Sequence, residues 1–366
     1  MKILVVAGAR PNFMKIAPLT RVLNQRNQID QRNQINFKVV HTGQHYDYEM
    51  SQVFFGDLEI SKPEYFLGVG SESHAVQTAR IMIAFEEVCL KEKPDAIVVV
   101  GDVNSTVACA LVAKKLGIGV AHVEAGLRSR DLTMPEEINR MVTDTLSDWL
   151  FVSEKSGIDN LRKEGKSESS IHFVGNVMID TLYHNLRRIG DLSTYQRITG
   201  NYAVLTLHRP SNVDLEEKLK ELMGAVGEIA KDFPVYFPVH PRTRERMDSA
   251  GLAARFNGGP VHLLPPLSYK PFLALYKDAS LVLTDSGGLQ EETTALGIPC
   301  FTIRENTERP VTIEEGTNTL VGTTAEGILA AFERFKKGEA KKGRIPELWD
   351  GHASERIVDI LLRKIG

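Results

Sequence analysis

The chain has 366 residues, more than one compact domain usually holds, so its length predicts two domains that each bury a core. Hydrophobic residues make up 42% and charged residues 25%, the composition of an ordinary globular protein. The net charge of -3 provides no basic excess, which argues against a nucleic-acid backbone or an anionic membrane surface as the partner.

The N-terminus and the cysteines both predict a cytoplasmic protein. Met1 and Lys2 lead directly into a short apolar run that Gly8 ends, too short for a signal peptide, and no apolar run reaches the length of a membrane span. Cys89, Cys109 and Cys300 lie far apart, with no pair at metal-binding spacing. We therefore expect three reduced core thiols and no metal.

Short runs rich in Val, Ile and Leu recur along the chain and alternate with helix-period segments. This pattern is typical of buried parallel strands joined by crossover helices. The runs of the first half are KILVVAG, FKVVHTG, AIVVVGD, GVAHVEAG, DWLFVS and IHFVGN, and those of the second half are YAVLTLHRP, VYFPVH, VHLLPPL, LVLTDSGG and PCFTIR. The pattern predicts an α/β protein with two parallel-sheet domains, residues 1–185 and 186–351.

Charged and polar residues follow many of these runs. Ligands of open parallel sheets gather at the carboxyl ends of the strands, so the predicted strand ends indicate where a site would form. The residues at these ends are Arg10, His41, Asp102, Glu124, His208, His240, Asp285 and Ser286.

The segment LVLTDSGGLQEE predicts a strand, a tight turn and a helix N-terminus. Backbone N–H groups at Ser286, Gly287 and Gly288, together with the helix dipole, suit a diphosphate. Glu292, one helical turn further on, can accept hydrogen bonds from ribose hydroxyls. The alternative is an ordinary turn with Ser286 as a capping residue.

The segment GARPNFMK is a second strand-to-helix turn. It lacks the GxGxxG pattern of a dinucleotide site, so we expect no nicotinamide cofactor and, more broadly, no cofactor. Arg10 and Lys15 instead place two cations near one helix start, where they suit a nucleotide phosphate or a sugar substituent.

Three carboxylates follow or flank predicted strands of the first domain. Asp102 and Glu124 end strands, and Glu136 opens the helix PEEINR with Arg140 one turn later. Convergence of these groups would raise carboxylate pKa values, as a general acid or base near neutral pH requires. The alternatives are a helix N-cap for Asp102 and a surface ion pair between Glu136 and Arg140.

The second domain offers basic residues at its strand ends. His208 and Arg209 follow one strand and His240 the next, where an imidazole can protonate a leaving phosphate and an arginine can hold it. Arg309 lies in a loop after the strand PCFTIR, from which it can reach a substrate.

Eight motifs in this order resemble the non-hydrolysing UDP-N-acetylglucosamine 2-epimerases. They are GARPNFMKIAPL, GDVNST, HVEAGLRS, MPEEINR, HRPSNVD, PVHPR, LTDSGGLQEE and TERPVT. The resemblance implies a GT-B fold, two Rossmann-like domains around a central cleft, with the final helix, 352–366, packing back on the first domain. It also implies an enzyme that supplies N-acetylmannosamine-type sugars for surface polysaccharide. We expect a homodimer, because dimers are common among such enzymes.

The resemblance also implies roles for matching residues. Those at the catalytic or sugar-proximal end of the site are Arg10, Lys15, Asp102, Glu124, Glu136, Arg140 and His208, and those that hold the UDP are Phe272, Ser286, Gly287, Gly288, Glu292 and Arg309. Phe272 fits a uracil-packing role, and its alternative is a core position of the helix KPFLALY. In the implied reaction, the proton leaves carbon 2 and UDP leaves carbon 1, which gives an enzyme-bound 2-acetamidoglucal. UDP then adds back after carbon 2 is protonated from the opposite face.

The chain departs from the family pattern in places. Asn12 stands where the family commonly has Glu. Gln44, His45, Arg209 and His240 match parts of a second UDP-N-acetylglucosamine site that activates some members, but the segment 66–71 lacks the expected basic residue.

Several rival functions share these motifs. A relative that acts on a UDP-2,3-diacetamido-glucuronate would have the same residues, and a hydrolysing epimerase would release free UDP. A GT-B glycosyltransferase would share the phosphate turn and the Glu292 position, although the cluster of carboxylates argues against it. A nucleotide-sugar sensor would bind without turnover.

Overall fold

The structure is a computed structural model that describes residues 1–29, 35–43, 60, 62–189, 198 and 200–365, without the side chain of Arg10. Two compact units account for the chain. The first consists of Met1–Tyr183 and Glu347–Gly366, and the second of His184–Pro346.

The first unit is built on a seven-stranded parallel sheet. Its strands are β1 (Lys2–Ala7), β2 (Asn36–His41), β3 (Tyr65–Phe66), β4 (Ala96–Val100), β5 (Gly119–Ala125), β6 (Trp149–Val152) and β7 (Ile171–Phe173). Their order in the sheet is β3-β2-β1-β4-β5-β6-β7. The chain reverses its direction of winding between β1 and β4, and such a switch point leaves a crevice at the carboxyl ends of these two strands.

Helices connect the strands of the first unit. They are α1 (Arg10–Ile29), α2 (His74–Glu92), α3 (Asn104–Lys115), α4 (Pro135–Leu146), α5 (Lys155–Lys163) and α6 (Val177–Leu186). Val and Ile fill β4, all five residues of which are buried, because both faces of a doubly wound sheet are covered.

The second unit repeats the architecture with a six-stranded parallel sheet. Its strands are β8 (Ala203–Thr206), β9 (Val235–Pro238), β10 (Val261–Leu264), β11 (Leu281–Thr284), β12 (Cys300–Thr302) and β13 (Asn318–Leu320). The order β10-β9-β8-β11-β12-β13 places the switch point between β8 and β11. The predicted α/β class with two parallel, doubly wound sheets is confirmed.

The helices of the second unit vary in length. They are α7 (Pro210–Val213), α8 (Glu216–Ile229), α9 (Pro241–Ser249), α10 (Leu252–Arg255), α11 (Tyr269–Tyr276), α12 (Gly287–Leu296), α13 (Pro310–Glu314) and α14 (Ala325–Lys336). Apolar residues of α8 and α14 pack with the strands into one core, whose members include Leu222, Phe237, Leu283 and Phe332.

The last helix, α15 (Ala353–Ile365), packs on α1 of the first unit. Asp180 holds its start, because the carboxylate accepts the backbone N–H groups of Ala353 at 3.1 Å and Ser354 at 2.7 Å. Trp349 is buried just before the helix and donates its indole N–H to the Ser153 carbonyl at 3.0 Å. The chain thus returns to the first unit and completes its core.

Two further features bear on the predicted setting of the protein. Cys89, Cys109 and Cys300 are all buried and unpaired. Among the described residues, no helix has both the length and the apolar character needed to cross a membrane.

Candidate functional site

Asn12 connects the two strand ends at the switch point of the first unit. Its side-chain oxygen accepts the backbone N–H groups of Gly8 at 3.1 Å and Ala9 at 2.9 Å, and its Nδ2 donates to the Val100 carbonyl at 3.1 Å. A carboxylate at this position would have no hydrogen to donate to Val100. Asn12 therefore ties the end of β1 to the end of β4.

Glu124 and Lys15 form an ion pair beside these strand ends. The side chains are only 6% and 8% exposed, so little solvent screens the pair. Glu124 has a φ of 75°, and the register of β5 against β6 shifts between Val123 and Ala125. A left-handed backbone at a non-glycine residue stores strain, and such strain is concentrated at functional sites.

Asp102 is held by a buried arginine. Arg140 pairs with Asp102 through Nη2 and with Glu137 through Nη1, the latter at 2.6 Å. The Asp102 side chain remains 23% exposed, so it is accessible to a ligand while its partner is buried. Val103, without a side-chain hydrogen bond, is the N-cap of α3, so the alternative of Asp102 as the N-cap is wrong.

Glu137, rather than Glu136, is the buried carboxylate at the start of α4. Its oxygens accept the backbone N–H groups of Ser129 at 2.9 Å and Arg130 at 3.0 Å, which fixes the loop before the helix. Glu136 is exposed. The alternative of a surface ion pair between Glu136 and Arg140 is wrong. Arg140 is buried, and it forms ion pairs with Glu137 and Asp102 instead.

His208 and Asp285 form a dyad at the switch point of the second unit. The ring Nδ1 of His208 lies 2.8 Å from Oδ1 of Asp285, and the carboxylate is fully buried. Asp285 also accepts the backbone N–H groups of His208 at 3.0 Å and Arg209 at 2.9 Å. Burial opposes ionisation of Asp285, but His208 and these N–H groups outweigh it and lower the pKa of the carboxyl. Since Nδ1 faces the carboxylate, a ligand would meet Nε2.

The start of α12 is partly exposed and lies against the loop that carries Arg309. Ser286 is its N-cap but makes no side-chain capping bond, so the alternative of Ser286 as a capping side chain is wrong. Gly288 is the second residue of the helix. A Cβ added to Gly287 would lie 3.1 Å from Oε1 of Glu308 and 3.7 Å from Nη1 of Arg309, so the first turn of the helix and the Arg309 loop are in contact.

Arg309 is buried between two carboxylates. Its Nε lies 2.8 Å from Glu291 and its Nη1 lies 3.1 Å from Glu308. Burial alone would raise the pKa of Glu308, but Arg309 and Arg304 hold it at about 2. Arg309 is therefore a charge-balanced side chain at the helix start.

Glu292 is buried in α12 and accepts two tyrosine hydroxyls. Tyr269 donates to Oε1 at 2.7 Å and Tyr276 to Oε2 at 2.6 Å. Burial raises the pKa of Glu292 to about 7, although both tyrosine bonds favour the ionised form. Phe272 is partly exposed, with its ring centroid 5.0 Å from that of Tyr276, so it covers the tyrosine from one side.

A family model described as UDP-N-acetylglucosamine 2-epimerase matches residues 27–362. The chain belongs to this family. Among curated proteins, the UDP-N-acetylglucosamine 2-epimerase of Methanocaldococcus jannaschii is 42% identical over 99% of both chains. The UDP-2,3-diacetamido-2,3-dideoxy-D-glucuronate 2-epimerase of Pseudomonas aeruginosa is 38% identical over 99% of this chain and 100% of its own.

Solved structures of the family match the fold over the whole chain. The Methanocaldococcus jannaschii UDP-GlcNAc 2-epimerase in complex with UDP-GlcNAc and UDP has a TM-score of 0.88 at 41% identity, covering 99% of this chain and 100% of that one. The Neisseria meningitidis enzyme bound to UDP-GlcNAc has a TM-score of 0.88 at 32% identity and covers 100% of both chains. The predicted family and its GT-B class are thereby confirmed.

The residues expected from the second UDP-N-acetylglucosamine site of some family members are only partly described. Gln44 and His45 lie outside the described residues. Arg209 donates from Nε to the Asp285 carbonyl at 3.1 Å, and the ring of His240 lies 6.3 Å from that of His208. His240 also accepts the Arg242 backbone N–H at 3.3 Å, so it is the N-cap of α9.

Four residues that the sequence analysis did not predict as catalytic or substrate-binding contact the predicted site residues. Glu137, Asp285, Tyr269 and Tyr276 each contact a predicted site residue. Two of them carried a signal in the sequence: Asp285 directly follows an apolar run, and Glu137 lies three residues before Arg140. Across the described residues, no three His, Cys, Asp or Glu side chains are grouped in a way that could hold a metal ion.

Proposed function

We propose that the chain interconverts UDP-N-acetylglucosamine and UDP-N-acetylmannosamine by epimerisation at carbon 2. The observation that carries the proposal is the pairing of Glu124, on a strained backbone, with Lys15, beside an Asp102 that Arg140 holds. Asp102 follows β4, one of the two strands at the switch point, and Glu124 lies near the end of the neighbouring β5, so both are at the sheet edge where ligands of this fold bind. Family relatives named for this activity, and solved with UDP-GlcNAc, support the proposal.

The proposed reaction is an elimination followed by an addition. A carboxylate removes the proton from carbon 2, the electrons of the C–H bond form a double bond to carbon 1, and the bond from carbon 1 to the UDP oxygen breaks. A proton then adds to carbon 2 from the opposite face, and UDP returns to carbon 1. The sequence of steps is redox-neutral, so it requires no redox cofactor.

Two acid–base groups must face opposite sides of the sugar ring, and we propose Asp102 and Glu124 for them. Each forms an ion pair with a basic side chain that fixes its position, Glu124 with Lys15 and Asp102 with Arg140. Glu136 remains a third candidate because it is exposed at the start of α4 and free to meet a ligand there. Arg10, Lys15 and Arg140 would stabilise negative charge around the sugar.

We assign the binding of UDP to the second unit. Backbone N–H groups of Gly287 and Gly288 would bind the diphosphate, as helix N-termini do, together with the hydroxyl of Ser286, whose own N–H donates to Oγ1 of Thr284 at 2.9 Å. His208, with Nε2 outward, would donate a proton or hydrogen bond to the departing phosphate, and Arg209, His240 and Arg309 would donate further hydrogen bonds to it.

Recognition of the nucleoside in this proposal involves Glu292 and Phe272. Phe272 presents a partly exposed aromatic ring for the uracil. Each Glu292 oxygen already accepts one tyrosine hydroxyl, but a carboxylate oxygen has two lone pairs and can accept a ribose hydroxyl as well.

The second candidate is epimerisation of a UDP-2,3-diacetamido-glucuronate, favoured by the 38% identical Pseudomonas aeruginosa relative. The two candidates differ in the sugar, not in the chemistry. Purified protein should be incubated with each UDP-sugar in turn, and the anomeric proton signals followed by NMR. A new UDP-N-acetylmannosamine signal supports the first proposal, and turnover of the glucuronate alone supports the second. Steady release of free UDP would contradict both.

We further propose a homodimer that uses an apolar face of the first unit. Val76, Ile83 and Leu90 lie seven residues apart on α2 and are 39%, 65% and 58% exposed. On α4, Ile138 and Met141 are 50% and 37% exposed, and a groove of about 480 Å³ lies between the two helices. Exposed apolar patches of this kind mark interaction sites. The double variant Ile83→Asp, Ile138→Asp should be monomeric in light scattering, and a monomeric parent protein would contradict the proposal.

We also propose a cytoplasmic location and a role in supplying N-acetylmannosamine-type sugars for surface polysaccharide. Three buried, unpaired cysteines suit a reducing compartment. Activated amino sugars are glycosyl donors, which suits polysaccharide assembly. Deletion of the gene should remove such sugars from the surface polysaccharide, and fractionation should recover the protein with the cytoplasm.

A further inference from the structure

A buried set of charged side chains lies beneath the carboxyl ends of β4 and β5 in the first unit. His122, on β5, and Asp144, on α4, are both 0% exposed. They face each other with Nδ1 of the histidine 2.7 Å from Oδ1 of the aspartate. Neither residue belongs to the acid–base groups of the proposed reaction.

Both ring nitrogens of His122 face acceptors. Nε2 lies 2.8 Å from the Gly101 carbonyl oxygen, which cannot donate a hydrogen bond. On the Nδ1 side, Asp144 is an ionised carboxylate. Although burial opposes its ionisation, His122 and Arg128 lower the pKa of Asp144. Each ring nitrogen therefore faces an acceptor, an arrangement in which a doubly protonated ring makes two hydrogen bonds.

The other oxygen of Asp144 serves the neighbouring strand end. Oδ2 accepts the backbone N–H of Gly126 at 3.1 Å and pairs with Nη2 of Arg128 at 2.7 Å. One carboxylate thus reaches Gly126 directly and Gly101 through His122. Both glycines have left-handed backbones, with φ of 67° at Gly101 and 81° at Gly126.

These two glycines flank the proposed acid–base residues. Gly101 directly precedes Asp102, and Gly126 follows Glu124 by two positions. Any displacement of the two glycines relative to each other would change the separation of the two carboxylates. Reacting groups lose about 100-fold in rate for a misplacement of about 1 Å, so that separation matters.

We propose that His122 and Asp144 are positioning residues that fix Asp102 and Glu124 relative to each other. This inference rests on the proposed function in one point, namely that Asp102 and Glu124 are the acid and base of the reaction. A buried ion pair contributes little to stability after desolvation, so a geometric role accounts for the pair better than a stabilising one.

The protonation of His122 can be tested without any activity measurement. Protein with ¹⁵N-labelled histidine side chains, compared with His122→Gln to assign the signal, should show two protonated ring nitrogens for His122 at neutral pH. A spectrum of a neutral ring, with one unprotonated nitrogen, would overturn the proposal.

The positioning role predicts a selective loss of kcat. His122→Gln and Asp144→Asn should lower kcat about 100-fold, with the dissociation constant of UDP changed by no more than about twofold, since the UDP residues lie in the second unit. Asp180→Asn is the matched control, because Asp180 is also a buried carboxylate of this unit that accepts two backbone N–H groups. It should lower the melting temperature comparably and leave kcat near the parent value.

The outcomes separate this inference from the proposed function. If the parent protein turns over UDP-N-acetylglucosamine but the two variants lose no more kcat than Asp180→Asn, the positioning role is wrong. If the parent protein turns over no UDP-sugar, the proposed function fails, and the histidine spectrum still decides whether His122 is the doubly donating ring described above.

Discussion

At the scale of single residues, Glu124 combines a strained backbone, a buried side chain and an ion pair with Lys15. A left-handed φ at a glutamate costs about 1 kcal/mol or more, which the surrounding strand contacts must offset. Lys15, 8% exposed, depends on this carboxylate to balance its charge. The pair is therefore more sensitive to the loss of one partner than to the loss of both.

The first prediction separates charge from geometry at this pair. Glu124→Gln should lower the free energy of unfolding by about 3 kcal/mol, because it removes the charge of the carboxylate that pairs with the buried Lys15 ammonium. The double variant Lys15→Met, Glu124→Gln should recover most of that loss in urea unfolding. Both proteins should be inactive, since the acid–base carboxylate is absent from each. A double variant less stable than the single one would contradict this account.

The second prediction concerns Glu292 and pH. Its pKa of about 7 in the folded protein exceeds the ordinary value of 4.5, so the folded state binds this proton more tightly than the unfolded chain does. The resulting stability is fully present below about pH 4.5 and is lost as the pH rises through about 7. Glu292→Gln should remove this dependence and be more stable than the parent above pH 7, by up to about 3 kcal/mol.

The same variant should bind UDP more weakly, because an amide offers the ribose only one acceptor oxygen. Urea unfolding measured from pH 5 to about pH 8 tests the pH dependence of stability. Calorimetry with UDP and with 2′-deoxy-UDP tests the contact with the ribose. Parallel pH profiles for parent and variant would contradict the titration, and unchanged discrimination between the two nucleotides would contradict the contact with ribose.

At the scale of elements, the sites depend on how strands pass into helices at the switch points. α12 begins with two glycines, and the first of them lies against the Arg309 loop. The third prediction is that Gly287→Ala weakens UDP binding about 10-fold, because the added methyl group would meet Glu308 at 3.1 Å and shift the helix start. Isothermal titration calorimetry measures this.

Gly224 is the matched control for this substitution. It lies in α8 of the same unit, and a Cβ added there meets nothing within 4 Å. Gly224→Ala should leave UDP binding unchanged and stabilise the protein by up to about 1 kcal/mol, as Ala does in a helix interior. Equal UDP affinity in the two variants would refute the proposed role of the helix start.

The sequence predicts the strands and helices better than it predicts which side chains contact each other. Apolar, β-branched runs such as AIVVV and LVLT predict buried strands, and the structure has strands there because both sheet faces are covered. On a helix, Arg140 can be reached both by Glu136, four residues before it, and by Glu137, three residues before it. Spacing alone therefore cannot decide which glutamate pairs with Arg140. The partners His208 and Asp285 lie 77 residues apart, and only the order of strands brings them together.

At the scale of the whole molecule, the first unit is discontinuous in sequence and the second is not. The segment 347–366 completes the first unit, where Ile357, Val358 and Leu361 of α15 are buried. The fourth prediction is that a chain ending at Pro346 has a destabilised first unit and an unchanged second one. Hydrogen exchange should speed up in α1 and α6 and stay the same in β8 and β11. Uniform acceleration in both units would contradict the division.

The central claim is that the protein removes and returns a proton at carbon 2 of the sugar. The fifth prediction tests this claim most directly, by exchange of that proton with solvent. In heavy water, the parent protein should produce UDP-N-acetylmannosamine and place deuterium at carbon 2 of both UDP-sugars, as proton NMR would record. Asp102→Asn should bind UDP as the parent does and yield neither product nor deuterium. Product that keeps its original carbon 2 proton, or normal turnover by Asp102→Asn, would contradict the account.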